Sequence, residues 1–581
     1  MFGTRPAMKI ALGAILLATS VASAQRTAPT MHTTHTETAR AKELPLKHVG
    51  KPTTAEITAA DLMTRLYIFA DDSMMGREVG TVYNDMGTSY IEREVRRLGL
   101  VPAGDSGTYF QNLPVFTNLT DSASSMMVGD ERLVLGTDFL LNHTGERRVS
   151  LAGVPVIYGG TTADSTTWPS SDAIAGKVVA ISVPATSSPT RFSGLANPRF
   201  ADATLVLIIS LDRMQPGLRA VIGGRRTALR PSEMPRIPLA AFISSRTAGL
   251  MFGPMDSAKT GMAGRGLSGT LITRQLRAPG RNVVAILPGT DSKLKGQYVA
   301  IGAHNDHVGF TNRPVDHDSL RAFNMIAQVQ GADSPAPGKL TEEQSTRLRR
   351  MIDSLRALRP ARLDSIHNGA DDDGSGSMSV LEIAQAFAGT RVKPRRSLLF
   401  IWHAGEEKGL WGSLLYTDKP TVSRDSIVAQ LNLDMVGRGA ATDVTGETKG
   451  GELTTGGKGY VQLVGSRRLS TELGDLIESV NSRRRLGLTF DYAMDANGHP
   501  QNIYCRSDHY AYARYGIPVV FFTTGGHADY HQVTDEPQYI DYARLAAVSS
   551  LVYESALALA NLDHRVKVDK EVPNPRANCV Q

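Results

Sequence analysis

The stretch Tyr298-Val299-Ala300-Ile301-Gly302-Ala303-His304-Asn305-Asp306 decides the fold. Its apolar run is too short for a helix and opens on Tyr and Val, so it reads as a buried strand. It ends on a histidine and a carboxylate. Runs of the same build lie at 397–402, leading into His403-Ala404-Gly405-Glu406-Glu407, and at 428–433, leading into Asp434. Another lies at 518–522, upstream of Tyr530-His531. Helical periodicity separates them at 377–388 and 470–484 and follows at 542–562. Strands alternating with helices predict an α/β fold with a mixed, mostly parallel central sheet flanked by helices. Such sheets collect ligands at the carboxyl ends of their strands, where His304, Glu406 with Glu407, and Asp434 all fall.

These residue types suit metal-assisted hydrolysis. A pair of zinc ions can acidify a shared water while polarising a carbonyl, and needs one carboxylate that bridges them. Asp372 is the expected bridge, because Gly369, Gly374, Ser375 and Gly376 permit a tight loop around it. The Asp372–Asp373 bond is a candidate non-proline cis peptide, a feature of strained functional loops. His304 and Asp434 are expected to complete one metal site, and Glu407 and His531 the other. Glu406 diverges from its neighbour Glu407 and is the expected general base. Asp306 is placed to accept a hydrogen bond from the far nitrogen of His304 and fix its ring; Asp508 is a weaker candidate for a similar part. Taken alone, Glu406-Glu407 would be a solvated pair, and the run Asp371 to Asp373 a helix cap or calcium loop. Calcium prefers oxygen, and the histidines argue against it. His307, His403, His509 and His527 are read as core, loop or pocket-wall residues.

Together the segments resemble the di-zinc aminopeptidase family that includes aminopeptidase Y and glutamate carboxypeptidase II, with the transferrin receptor as a non-catalytic relative. The resemblance rests on His304 to Asp306, Gly369 to Gly376, Glu406 to Ser413, Asn432 to Met435 and Tyr530-His531. It implies a zinc exopeptidase fold and a pair of zinc ions on His304, Asp372, Glu407, Asp434 and His531. It also implies Glu406 as base, Asp306 as the aspartate behind the ligands and Tyr530 as a holder of the oxyanion. Peptides are the implied substrates, and an aminopeptidase is the implied activity. A carboxypeptidase is the alternative, with Arg438 and Arg506 as conceivable anchors for a terminal carboxylate. A receptor-like binder and a one-zinc glutaminyl cyclase rank below, because every ligand and the base are present.

The remainder of the chain frames this centre. With 581 residues, several domains are expected. Hydrophobic content of 41%, charged content of 21% and a net charge of +6 describe a globular protein with scattered cations, not a nucleic-acid face. Residues 1–24 read as a signal peptide, with Arg5 and Lys9 ahead of an apolar run and Ala22-Ser23-Ala24 as cleavage site. The mature chain is therefore expected to be secreted or periplasmic, with no stable membrane anchor and no later spanning segment. Residues 25–50, with His32, His35 and His48, read as a flexible leader. The peptidase domain is expected at 51–117 and 279–565, interrupted at 118–278 by a small β-rich domain that resembles a protease-associated module. Residues 310–367 form a further insertion, equally readable as a lid or as surface elaboration, and 566–581 a tail. The chain has two cysteines, Cys505 and Cys579, which can pair or stay free; neither can build a thiolate zinc site.

Overall fold

The computed structural model describes residues 44–581 apart from 143–144, 191–196, 231–236 and 392. The expected signal peptide and most of the expected leader, with His32 and His35, lie outside the described residues. Ordered packing is in place before residue 50: Leu44 rests on the main core, and Lys47 pairs with Asp71 at 2.8 Å.

The central sheet contains β1 (Val101–Pro102), β2 (Phe110–Asn112), β3 (Arg281–Leu287), β4 (Tyr298–His304), β5 (Ser397–His403), β6 (Ile427–Leu433), β7 (Tyr460–Val464), β8 (Thr489–Asp491) and β9 (Val519–Thr523). Its order is β1-β3-β5-β4-β6-β9-β7-β8, with β2 also on β3. β5, β4, β6 and β9 run parallel; β3 pairs antiparallel to β1, β2 and β5, and β7 is antiparallel to β9 but parallel to β8. Alternate side chains leave a strand on opposite faces, and both faces are covered. Val299 and Ile301 enter one core with helices α1 (Ala59–Phe69), α2 (Val82–Arg97), α5 (Gly376–Gly389), α6 (Thr471–Arg484) and α7 (Tyr542–Asn561), while Ala300 enters another with Tyr416 and Tyr512. That double burial is why the strands are apolar throughout instead of alternating.

β2 and β3 are paired neighbours although far apart in sequence, so the chain leaves this sheet after Asn112 and rejoins it at Arg281. The excursion is slightly wider than the expected 118–278. It holds a five-stranded sheet, whose inner strands Val178–Ser182 and Leu205–Ile209 are parallel, and a six-stranded antiparallel sheet. A separate apolar core including Phe139, Leu207 and Leu271 joins them.

The second insertion is an antiparallel ribbon, Phe310–Asp316 with Leu363–Ile366, that carries α3 (His317–Ala327) and α4 (Glu342–Arg356). It is clamped onto the sheet domain. Arg362 grips Glu536 with both terminal nitrogens, each at 2.6 Å. The Ala332 amide donates to the Tyr530 carbonyl at 3.0 Å. The preceding Gly331, at φ 57°, makes that approach possible, because a Cβ there would stand 2.4 Å from the Tyr530 oxygen. The two readings of this segment divide between its parts. α4 buries none of its residues, whereas the turn Gly331–Asp333 borders the active-site cleft.

α7 corrects one expectation, since its 20 residues are apolar enough to span a membrane by length and composition alone. Here it packs against α1, α5 and α6 as a core helix. Cys505 and Cys579 form a disulfide, and the Gln581 side chain accepts from the Tyr504 amide at 2.9 Å, so the tail is tied to the domain.

Candidate active site

Four strand ends and one loop converge on a single cleft. His304 closes β4, Glu406 and Glu407 follow β5, Asp434 follows β6, and Tyr530-His531 lie on the loop after β9. Asp372 arrives on the tight turn 370–375 that opens α5, and its bond to Asp373 is cis.

His304 Nε2 stands 3.2 Å from Asp372 Oδ1 and 3.6 Å from Asp434 Oδ1. His531 Nε2 stands 2.9 Å from Asp372 Oδ2 and 2.9 Å from Glu407 Oε2. Asp372 therefore offers one oxygen to each group, as a bridging carboxylate must. Burial works against a charged His531, yet its bonds to Asp372 and Glu407 push it up to about 10. Imidazoles and carboxylates clustered in this way fit the donor set of zinc.

The loops bearing these residues are held by carboxylates of their own. Asp535 accepts from the Asp371 and Asp372 amides at 3.0 and 3.1 Å, and burial pushes it up to about 6. Asp373 accepts from the His304 amide at 2.9 Å and the Gly376 amide at 2.8 Å. Asp434 Oδ2 receives the Ser507 hydroxyl at 2.8 Å, and Ser507 in turn receives Asn432 Nδ2 at 3.0 Å. Asp508 faces His403 at 3.3 Å. His527 backs Asp371 at 3.2 Å and His509 stacks on Phe521, so these two have the supporting roles expected.

Asp306 departs from expectation. His304 Nδ1 meets the backbone carbonyl of Asp306 at 3.1 Å, while the carboxylate is 3.8 Å away. That carboxylate instead accepts from the Gly405 and Glu406 amides. The chain turns sharply after β4, which brings the main chain, not the side chain, of the second residue onto the ring. Glu406 lines the cleft and belongs to neither group of candidate ligand atoms. Burial, reinforced by Asp434 and Glu407 and opposed by His304, raises its pKa well above the usual carboxylate range.

His307, read as a core, loop or wall residue, is buried, and its Nδ1 stands 2.7 Å from Glu407 Oε1. Its nearness to His304 in the chain was the available signal, but only the turn after β4 reveals which way its ring points.

The cleft has a volume of about 80 Å³. Met435, Met494, Ile503 and Phe521 make its apolar walls, and Gln330 and Asp333 of the second insertion reach its rim. Tyr530 stacks on His531 with ring centroids 4.0 Å apart. Arg506 is engaged by Asp333 at 2.8 Å, and Arg438 by Asp529 at 2.9 Å.

A mostly parallel α/β sheet with adjoining His–carboxylate clusters and an uncommitted glutamate at its carboxyl edge defines a metallohydrolase-type centre. Residues 282–556 match the model of peptidase family M28. A probable leucine aminopeptidase of Arthroderma otae is 31% identical over 153 residues, which are 22% of this chain and 42% of that protein. A leucine aminopeptidase 1 of Coccidioides posadasii is 32% identical over 176 residues, 29% of this chain and 39% of that one. The matched stretches thus span less than half of these relatives. Among solved structures, a zinc aminopeptidase from Bacillus subtilis is 16% identical with a TM-score of 0.44, over 87% of this chain and 96% of that one.

Proposed function

We propose that this protein is a secreted or periplasmic exopeptidase that holds a pair of zinc ions and removes N-terminal residues from peptides. The observation that carries this reading is Asp372, whose two oxygens face separate clusters while Glu406 stays uncommitted beside them. His304 and Asp434 would hold one ion, Glu407 and His531 the other, with Asp372 common to both. Zinc bound there would acidify a shared water and polarise the substrate carbonyl. Glu406 is placed to take a proton from the attacking water and to return it to the departing amine. Tyr530, at the cleft wall beside His531, is the donor for the oxyanion.

The state of the two arginines favours an aminopeptidase over a carboxypeptidase. Recognition of a terminal carboxylate needs an available guanidinium, and Arg506 and Arg438 are each engaged by an aspartate. An α-ammonium instead meets a cleft lined by Glu406 and Asp434. The disulfide supports an oxidising compartment, as an exported chain would meet.

The deciding experiment is metal analysis of the purified protein together with hydrolysis of free-amine and N-blocked peptides. Zinc at two per chain with cleavage of free N-termini alone is expected. Cleavage confined to free C-termini overturns the aminopeptidase reading, and a metal-free, inactive protein that zinc does not revive overturns the hydrolase.

A further inference from the structure

His307 belongs to neither half of the ligand set assigned above, yet it points at one of them. Its ring is fully buried. Nδ1 stands 2.7 Å from Glu407 Oε1 and 3.6 Å from Asp372 Oδ2, the same two carboxylates that His531 Nε2 contacts from the other side. The rings of His307 and His531 lie edge to face with centroids 5.4 Å apart. One donor atom from each of His307, Asp372, Glu407 and His531 lies within 4.8 Å of every other.

We propose that His307, through Nδ1, is a further ligand of the metal ion held by Asp372, Glu407 and His531. The inference rests on the two-metal reading of this site and deepens it. The obvious alternative is that His307 only steadies Glu407 by a hydrogen bond. The contact is short enough, but its direction is wrong: neither His307 Nδ1 nor Glu407 Oε1 has a hydrogen-bond partner. A ring N–H donates in its own plane along a narrow direction, and here that direction misses the carboxylate oxygen. A buried imidazole with neither nitrogen hydrogen-bonded is costly, and ligation gives Nδ1 its partner.

The fold also makes room for this ring specifically. Gly369, at φ 56°, lies against it, and a Cβ at that position would stand 2.5 Å from His307 Cγ. Arg77 braces the same place, its guanidinium donating to the Asn368 and Gly369 carbonyls at 2.7 and 2.8 Å. The ring is thereby held where it meets Asp372 and Glu407. The consequence is an unequal pair of sites, one with two imidazoles and two carboxylates, the other with His304, Asp434 and the shared Asp372.

The test is zinc and cobalt binding by the metal-stripped full chain, wild type against His307→Ala and His307→Gln. Zinc affinity would be read by competition with a chromophoric chelator, and the cobalt-loaded protein by visible absorption and X-ray absorption counting of imidazoles. His307→Ala is expected to keep one ion and to lose roughly 100-fold or more in affinity for the other, since even partners outside the ligand shell are worth 10–100-fold. One imidazole should disappear from the cobalt signal. Glutamine can donate to Glu407 but has no imidazole nitrogen, so His307→Gln is expected to behave like alanine; it carries the test where the alanine variant fails to fold. Two ions at wild-type affinity with an unchanged imidazole count in either variant overturn the proposal, as does full recovery of affinity in His307→Gln. A wild-type chain that binds a single zinc overturns this inference and the two-metal reading together.

Discussion

The carboxylate of Asp306 accepts hydrogen bonds from the backbone amides of Gly405, at 2.7 Å, and Glu406, at 3.2 Å. A side chain at the end of β4 thus sets the loop that presents the proposed base at the end of β5. Burial pushes Asp306 up to about 6, which marks how little solvent reaches this junction. Asp306→Ala leaves both amides without an acceptor, at about 1–3 kcal/mol each. A lower melting temperature and a kcat reduced about 10–100-fold are expected. Asp306→Asn retains an acceptor oxygen and should lose less of both. Equal losses in the two variants would refute the hydrogen-bonding role.

Glu406→Gln separates metal binding from proton transfer. The variant should keep wild-type zinc content, because Glu406 belongs to neither group of candidate ligands, while kcat drops on the order of 10²–10⁴-fold. Metal analysis beside steady-state kinetics checks both halves, and retained turnover would disprove the assignment of the base.

Asp372→Ala should empty both proposed sites together, since one of its oxygens faces each cluster. Asp434→Ala should weaken one site and spare the other. Stoichiometric zinc titration distinguishes these outcomes, and a normal metal pair in Asp372→Ala would end the bridging model.

His509 predicts acid lability. Buried against Phe521, it is driven down to about 3 by desolvation. Its folded pKa lies below that of the unfolded chain, so the neutral ring contributes fully above pH about 6.5, and stability is lost as pH falls from there towards 3. Between pH 8 and pH 5 this one group should cost about 2 kcal/mol. His509→Phe is expected to gain more in melting temperature over wild type at pH 5 than at pH 8. A gap that does not depend on pH would remove His509 as the cause.

Asp333→Ala removes the partner of Arg506 at the cleft rim. The freed guanidinium should attract acidic peptides, with KM for substrates carrying a carboxylate near the rim falling several-fold while kcat stays within about twofold. An unchanged ranking of acidic and neutral peptides would show that the second insertion does not shape selectivity.

Much of the centre could be read from the chain because its parts are local. A strand buried on both faces must be apolar throughout, so the termination of β4, β5 and β6 on polar residues stands out at 304, 406 and 434. The turn at Asp372 is equally local, since the glycines around it permit a backbone that few other residues adopt. The pairing of Cys505 with Cys579 was left open, because spacing does not report whether two sulfur atoms meet. The contact of Asp306 was misjudged, and the direction of His307 not foreseen, for a related reason. Both follow β4 by a few residues, and their directions depend on a turn whose shape is set by contacts with Arg77, Gly369 and Gly405 from distant parts of the chain.

The sequence by itself therefore determined the class of fold and the candidate ligands, because hydrophobic periodicity and the chemistry of His, Asp and Glu are properties of short segments. The tertiary structure alone decided how the candidate ligands divide between two clusters, that Asp306 holds the Glu406 loop and that His307 points at Glu407. It alone also decided that Asp333 neutralises Arg506 at the cleft. Each of these is a distance of a few ångströms between residues up to hundreds of positions apart. Such distances are fixed by how the sheet, its helices and the second insertion pack, and no local pattern encodes them.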